Sequence, residues 1–160
     1  MKLNIRYTLE EDGLLLKEWL PPELRYFPIG EGSELDVAVN NWIGFAKYKC
    51  SLTVEMDGKP CAIGTLFLMP YRKVAHHSMF YMIVNKTERE RGVGYLLLQN
   101  LAHLAKNYFR LEMLHCEVFD GCKLVSLLEK AGFEQMAAQP HFVNNGGGDY
   151  QTRILYNKIL

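Results

Sequence analysis

The sequence carries no excess of charge of either sign: 18 lysines and arginines balance 18 aspartates and glutamates over 160 residues. A chain whose main partner is nucleic acid carries a basic surplus to neutralise phosphates, so this balance argues against that class of partner. Long apolar runs are also missing. No stretch approaches the roughly eighteen residues that span a bilayer, and residues 1–7 lack the apolar core of a secretory signal. The expected compartment is the cytoplasm, with no membrane partner. Cysteine is sparse, and Cys50, Cys61, Cys116 and Cys122 contain no CxxC pair. His115, Cys116 and Cys122 lack paired ligand spacing, so the cysteines are read as reduced packing side chains and no metal is expected. Two phosphate-binding fingerprints are absent as well: neither GxGxxG with a trailing acid nor GxxxxGK followed by Ser or Thr occurs.

What is present is a chain that is 49% apolar, long enough for one domain with a proper core over residues 1–160 and too short for two ordinary ones. It is organised around residues 80–108. Phe80, Tyr81, Met82, Ile83 and Val84 form an apolar run of strand type, and a polar passage leads into Arg89, Glu90, Arg91, Gly92, Val93, Gly94 and Tyr95. Leu96, Leu97, Leu101, Leu104, Ala105 and Tyr108 then recur with the spacing of a broad apolar helix face. Glycines at such a strand-to-helix join let the backbone turn tightly and let an oxygen-rich group approach without meeting a Cβ. The first N–H groups of a helix have no internal partner, and the helix dipole adds positive charge there. Arg89 and Arg91 would reinforce the attraction through bidentate guanidinium contacts, so a phosphate or pyrophosphate site is expected. The competing reading is a surface turn with solvated arginines.

In chain order, Leu3, Ile5 and Tyr7 alternate with polar residues as in a half-buried strand. Thr8 with Glu11 reads as a capping box opening a helix that carries Leu14, Leu15, Leu16 and Trp19 and ends at Pro21 and Pro22. A loop holding Arg25, Tyr26, Phe27 and Pro28 follows, and its aromatics suit either a pocket wall or the packing of the loop itself. Ser33 with Asp36 marks a second helix with Val37, Val39, Trp42, Ile43, Phe45 and Ala46 on its apolar face. Asp57 and Gly58 form a two-residue turn between strands at 50–56 and 59–68. A central strand spans 75–84, and a further strand 111–119 follows the 92–108 helix. A helix starting at Asp120 ends at Gly132, the residue suited to a left-handed cap. Strands at 133–138 and 152–160 flank a glycine-rich tip, 144–148. This order predicts a mixed α/β fold, one twisted sheet with helices on both faces.

The pattern Arg89, Glu90, Arg91, Gly92, Val93, Gly94 after an apolar strand resembles the RxxGxG signature of the GNAT family of N-acetyltransferases. The strand at 111–119 and the segment Leu127, Leu128, Glu129, Lys130, Ala131, Gly132, Phe133 are similar to later family features, so the resemblance covers residues 75–133. It implies a mixed sheet of about seven strands that splays between strands four and five. It also implies acetyl-CoA as cosubstrate, with pyrophosphate on the N–H groups of residues 91–95 and pantetheine laid like an added strand along Met82, Ile83 and Val84. A backbone N–H near Ile83 or Val84 would polarise the thioester carbonyl.

The reaction so implied is attack of a neutral amine, belonging to a small molecule or a protein, on the thioester. An alkylammonium must first lose a proton, and the candidate bases are Glu117, Ser78 and Tyr81, with His76 and His77 further from the splay. Two family positions depart from the pattern. The tyrosine that protonates the departing thiolate falls on Leu128, and the asparagine that holds pantetheine falls on Gly121, which leaves Asp120 or Cys122 to replace the contact. The acid role then passes to Tyr150, Tyr156, Cys122 or solvent, or the thiolate leaves unprotonated, since its reference pKa is about 8.5. Leu128 also keeps open a non-catalytic acyl-CoA-binding module, and the turn alone would fit a phosphate-ligand domain of another fold. The aromatic loop and the glycine-rich tip are where the acceptor is expected to be chosen. An unpaired edge among the terminal strands would invite a homodimer.

Overall fold

The computed structural model describes residues 1–160. Its strands are β1 (Leu3–Tyr7), β2 (Ser51–Met56), β3 (Lys59–Leu68), β4 (His77–Val84), β5 (Met113–Phe119), β6 (Glu134–Asn144) and β7 (Tyr150–Ile159), and its helices are α1 (Gly13–Trp19), α2 (Ser33–Ile43), α3 (Val93–Asn107) and α4 (Leu124–Lys130). One sheet runs in the order β1-β2-β3-β4-β5-β7-β6. Every neighbouring pair is antiparallel except β4 with β5, which is parallel. The seven-stranded mixed sheet with helices on both faces is the fold that the element order predicts. No helix is long and apolar enough to cross a membrane.

Strand alternation sends side chains into two separate cores. Ala62 of β3 and Phe80 and Met82 of β4 join Val93, Leu97, Leu98, Leu101 and Leu104 of α3 and Leu128 of α4 on one face. Ile63 and Ile83, one residue out of phase, meet Leu16, Trp19 and Leu20 of the α1 end and Val39 and Trp42 of α2 on the other. The β2–β3 hairpin closes through Asp57 and Gly58 at φ 51° and 82°, the doubly positive geometry that such a turn demands. Cys50, Cys61, Cys116 and Cys122 are free thiols. Burial pushes those of Cys50 and Cys61 up to about 11, so they stay protonated.

Several local expectations are corrected. Thr8 does not cap the first helix: its hydroxyl is buried and bonds Thr53 Oγ1 at 2.8 Å and Ser51 Oγ at 2.9 Å. Only half of a box forms, one residue later: the Asp12 carboxylate accepts from Leu9 N–H at 2.8 Å, and Leu9 has no side-chain acceptor to complete it. Asp12 is held there by Arg6, whose two terminal nitrogens donate to it at 2.7 and 3.0 Å. Helix α2 starts after Gly32 with no side-chain cap, and Asp36 instead pairs with Lys17 at 3.2 Å. Pro21 and Pro22 end α1, yet the chain continues as a 3-10 turn, Pro21–Tyr26. Tyr7, Leu14, Val37 and Tyr108, assigned to apolar faces, are exposed. The last helix begins at Leu124, not Asp120, because Gly121 at φ 86° makes a turn first. Strand β6 runs on to Asn144 past two register shifts, with Pro140 tolerated because β6 is an edge strand.

Asp12 is the most heavily bonded carboxylate near α1. Burial raises its pKa, but the hydrogen bonds from Arg6 and Leu9 outweigh that and hold it below the usual carboxylate value. A depressed folded pKa adds stability that is full above the unfolded value near about pH 4 and is lost as pH falls through the folded value. Asp12→Asn is therefore expected to cost about 3 kcal/mol at pH 7 in guanidinium unfolding, and the gap to wild type should narrow in acid.

Candidate active site

Strands β4 and β5 pair over His77, Ser78 and Met79 against Met113, Leu114 and His115, and then part. Beyond that point β4 stays bonded to β3 as far as Val84, and β5 to β7 as far as Phe119. Successive residues of an antiparallel strand turn their backbone groups to opposite edges. Asn85 N–H donates to Cys61 O at 2.8 Å and Glu112 N–H to His76 O at 2.7 Å, which sets the phase. Tyr81 and Ile83 therefore bond to β3, whereas Met82 and Val84 turn their backbone groups into the gap. The expectation of an N–H donor near Ile83 or Val84 narrows to Val84, with Met82 beside it.

The gap opens onto the turn before α3. Glu90 and Gly92 both take positive φ, 65° and 79°, and reverse the chain sharply. The first donation in the helix runs from Leu96 N–H to Gly92 O at 3.1 Å, so the N–H groups of Val93, Gly94 and Tyr95 have no helical acceptor. Gly94 lies so close to α4 and β4 that a Cβ there would meet Leu127 Cδ2 at 3.3 Å and Val84 Cγ2 at 3.5 Å. Arg89 Nη2 donates to Val84 O at 3.3 Å and pairs with Glu23 Oε1 at 2.9 Å. Lys130 Nζ lies 4.4 Å from the Tyr95 ring centroid, a cation at the same mouth.

Gap and turn together form a cleft of about 890 Å³. Of the residues singled out from sequence, Tyr81, Met82, Ile83, Val84, Arg89, Glu90, Gly92, Gly94, Tyr95, Glu117 and Cys122 line it. Four are placed elsewhere. The Arg91 side chain turns to a smaller depression, lying 3.8 Å from both Met56 Sδ and Glu88 Oε2. Val93 is buried in the core, leaving only its N–H to the turn. Asp120 accepts from Thr152 N–H at 3.0 Å and so ties β5 to β7. Ser78 is fully buried where the strands are still paired, and its hydroxyl donates to Met79 O at 2.7 Å. His77 lies at that closed end too, with Nδ1 3.0 Å from His115 Nε2.

The floor of the cleft carries a chain of polar groups. Tyr81 hydroxyl donates to Glu117 Oε1 at 2.5 Å, and Arg153 Nε donates to Glu117 Oε2 at 2.7 Å. Burial first, then the Glu117 carboxylate, pushes the Tyr81 phenol up, so it remains protonated. Arg153 also donates to Gln139 Oε1 at 3.0 Å and stacks 4.6 Å from the Phe142 centroid. Burial likewise pushes the Cys116 thiol up to about 12. Among the substitutes for the missing tyrosine, Tyr156 is buried in the core and Tyr150 packs on His141 with centroids 4.8 Å apart, and neither lines the cleft. Leu128 is fully buried in the same core.

One wall is the 3-10 turn after α1. Pro22, Glu23, Tyr26 and Phe27 line the cleft from it. Gln151 of β7, itself buried, donates to Arg25 O at 2.9 Å, and Arg25 pairs with Asp149 at 2.8 Å. The aromatic loop and the glycine-rich tip, both expected to face the acceptor, thus meet. The sequence reading passed over Glu23, Arg153, Gln151 and Lys130. Glu23 and Lys130 line the cleft, and Arg153 and Gln151 brace it through Glu117 and the Arg25 carbonyl, placements set by pairing across the fold.

The sequence matches the model of the acetyltransferase (GNAT) family over residues 15–133. No curated protein sequence matches it. Among solved structures, a ribosomal-protein-alanine N-acetyltransferase from Brucella melitensis superposes with a TM-score of 0.81 at 20% identity, over 98% of this chain and 99% of that one. A GNAT-family acetyltransferase from Streptococcus pneumoniae gives 0.77 at 19% identity, over 99% and 100% of the two chains. The yncA protein of Salmonella typhimurium, solved with its cofactor acetyl-CoA, gives 0.84 at 14% identity, over 100% and 95%.

The Tyr81–Glu117–Arg153 chain generates a test of its own. Arg153→Ala leaves the Glu117 carboxylate buried without its counter-ion, which should cost roughly 2 kcal/mol at pH 7 in guanidinium unfolding.

Proposed function

We infer the function of this chain from one premise: it belongs to the GNAT family of acetyltransferases. It is an acetyl-CoA-dependent acyltransferase. We propose that it is an N-acetyltransferase that moves the acetyl group to a primary amine of a small molecule or protein by direct attack in a ternary complex. We take residues 1–160 as one such domain working in the cytoplasm, with neither nucleic acid nor membrane as partner. The observation that carries the proposal is the parted β4–β5 edge, with Met82 and Val84 backbone groups facing the gap, ending at the free N–H groups of Val93, Gly94 and Tyr95.

These residues fit the cosubstrate, because an extended amide chain needs an unpaired strand edge and a pyrophosphate needs N–H donors and a cation. In this reading Met82 and Val84 hold the pantetheine amides, Arg89 and the α3 N-terminus hold the phosphates, and Cys122 packs beside them. Acetyl-CoA supplies the activated acetyl thioester. Tyr81 and Glu117 form the route for the acceptor's proton: the amine nitrogen passes it to the Tyr81 oxygen as the phenol proton moves to Glu117. Ser78 has no path to the cleft and drops out of this role. With Leu128 in the acid position, the thiolate departs without a protein proton, as its reference pKa of about 8.5 permits. The exposed edge strand β6, with Met136 and Phe142 uncovered, is where a second copy would add.

Calorimetric titration with acetyl-CoA, CoA, ATP and NAD, followed by thiol release against a panel of amines, tests the proposal. Micromolar binding of acetyl-CoA with thiol release is expected. Binding without release from any amine would favour a non-catalytic acyl-CoA module, and no preference for CoA over ATP would remove the assignment of the cleft. Arg89→Ala should weaken CoA binding about tenfold. Arg91→Ala, whose guanidinium faces away, should leave it within about twofold.

A further inference from the structure

Glu23 stands out among the cleft residues. It is an acidic side chain from the acceptor-side 3-10 turn, only 8% exposed, and its partner is Arg89 at 2.9 Å. Arg89 is the guanidinium that the proposed function assigns to the phosphates. No other salt bridge or side-chain hydrogen bond is formed by Glu23. The turn that carries it is anchored from β7, with Gln151 Nε2 donating to Arg25 O at 2.9 Å and Asn145 Nδ2 in turn donating to Gln151 Oε1 at 2.9 Å. Glu23 is therefore held facing the cleft from a clamped segment, in company with Tyr26, Phe27 and Tyr81.

We propose that Glu23 is an internal anion that competes with the phosphates of CoA for Arg89 and, once displaced, receives the ammonium group of an acceptor with an apolar body. A single guanidinium cannot satisfy both anions at full strength. When Arg89 turns to the phosphates, the Glu23 carboxylate stays in a largely buried position without a counter-ion, which is unfavourable until a cation arrives. The cation the reaction brings is the acceptor's own ammonium, and the aromatic rings of Tyr26, Phe27 and Tyr81 supply the walls for its carbon skeleton. Binding of CoA and of amine is thus positively coupled, and by linkage the coupling is the same in both directions. Acceptors that carry a carboxylate beside the amine are disfavoured. This inference rests on the acetyltransferase reading of the cleft.

The test is calorimetric titration of CoA into the full chain, wild type and Glu23→Gln, with and without 2-phenylethylamine as the probe ammonium. Glu23→Gln should bind CoA roughly fivefold tighter than wild type, because the competing ion pair is gone. In wild type the amine should tighten CoA binding several-fold, and in the variant that effect should vanish. In steady state the variant should show a KM for the amine raised about tenfold with the KM for acetyl-CoA not raised. Unchanged or weaker CoA binding by Glu23→Gln would overturn the competition. An amine effect equal in both proteins, or none in wild type, would overturn the ammonium site. Should Glu23→Gln fail to fold, Glu23→Asp keeps the charge but shortens its reach to Arg89, and must also bind CoA tighter. Wild-type protein that binds no CoA at all would remove the acetyltransferase reading itself, whereas normal wild-type binding untouched by the variants would remove this inference alone.

Discussion

The structure depends on one feature: β4 and β5 are neighbours that do not pair along their whole length. Each is fully bonded along its other edge, β4 to β3 from Ser78 to Val84 and β5 to β7 from Met113 to Phe119. Three pairs at the His77 end hold the two halves of the sheet together, and the rest of the shared edge is left open. Backbone N–H and C=O groups in such a place need partners, so an unclosed interior edge is a binding surface by its nature. An added chain of amides would satisfy such an edge, and the proposed function rests on that match.

The other end of the opening is controlled by a turn with two positive φ angles, at Glu90 and Gly92. A non-glycine residue in that region carries strain, and strain of this kind is kept where the geometry it produces is used. What it produces is a helix whose first free N–H groups point at the same opening as Val84. Core packing secures the direction of the helix, since Val93, Leu97, Leu98 and Leu101 are all nearly or fully buried against the sheet. The helix start is thus oriented by hydrophobic contacts on the far side of α3, while its free N–H groups face the cleft.

The opposite wall of the cleft is assembled differently. Its residues come from the 3-10 turn after α1, from β5 and from the β6–β7 hairpin, and polar pairs join them: Arg25 with Asp149, Gln151 with the Arg25 carbonyl, Arg153 with Glu117. Partners 124, 126 and 36 residues apart in the chain hold this wall. Leu128 sits fully buried in the core, away from this wall.

Local chemistry was enough to read much of this from the chain. The Asp57–Gly58 hairpin, the helix after Gly92, the number of strands and the glycine turn before that helix follow from φ preferences and apolar periodicity, which act between residues close in sequence. The helix starts were read less well. Thr8 was drawn into a buried hydroxyl network and Asp12 was taken by Arg6, both through partners on neighbouring strands. The two RxxGxG arginines looked equivalent, yet only Arg89 reaches the cleft, because Arg91 falls on the opposite side of the turn, toward Met56. The sequence by itself determined that this chain would build a mixed sheet with a glycine turn opening an amphipathic helix, since those features depend on residue type and short spacing. Only the tertiary structure decided which carboxylates and cations meet across the cleft, Glu23 with Arg89 and Glu117 with Tyr81 and Arg153, because such pairs are set by strand register and loop docking and leave no pattern in the order of residues.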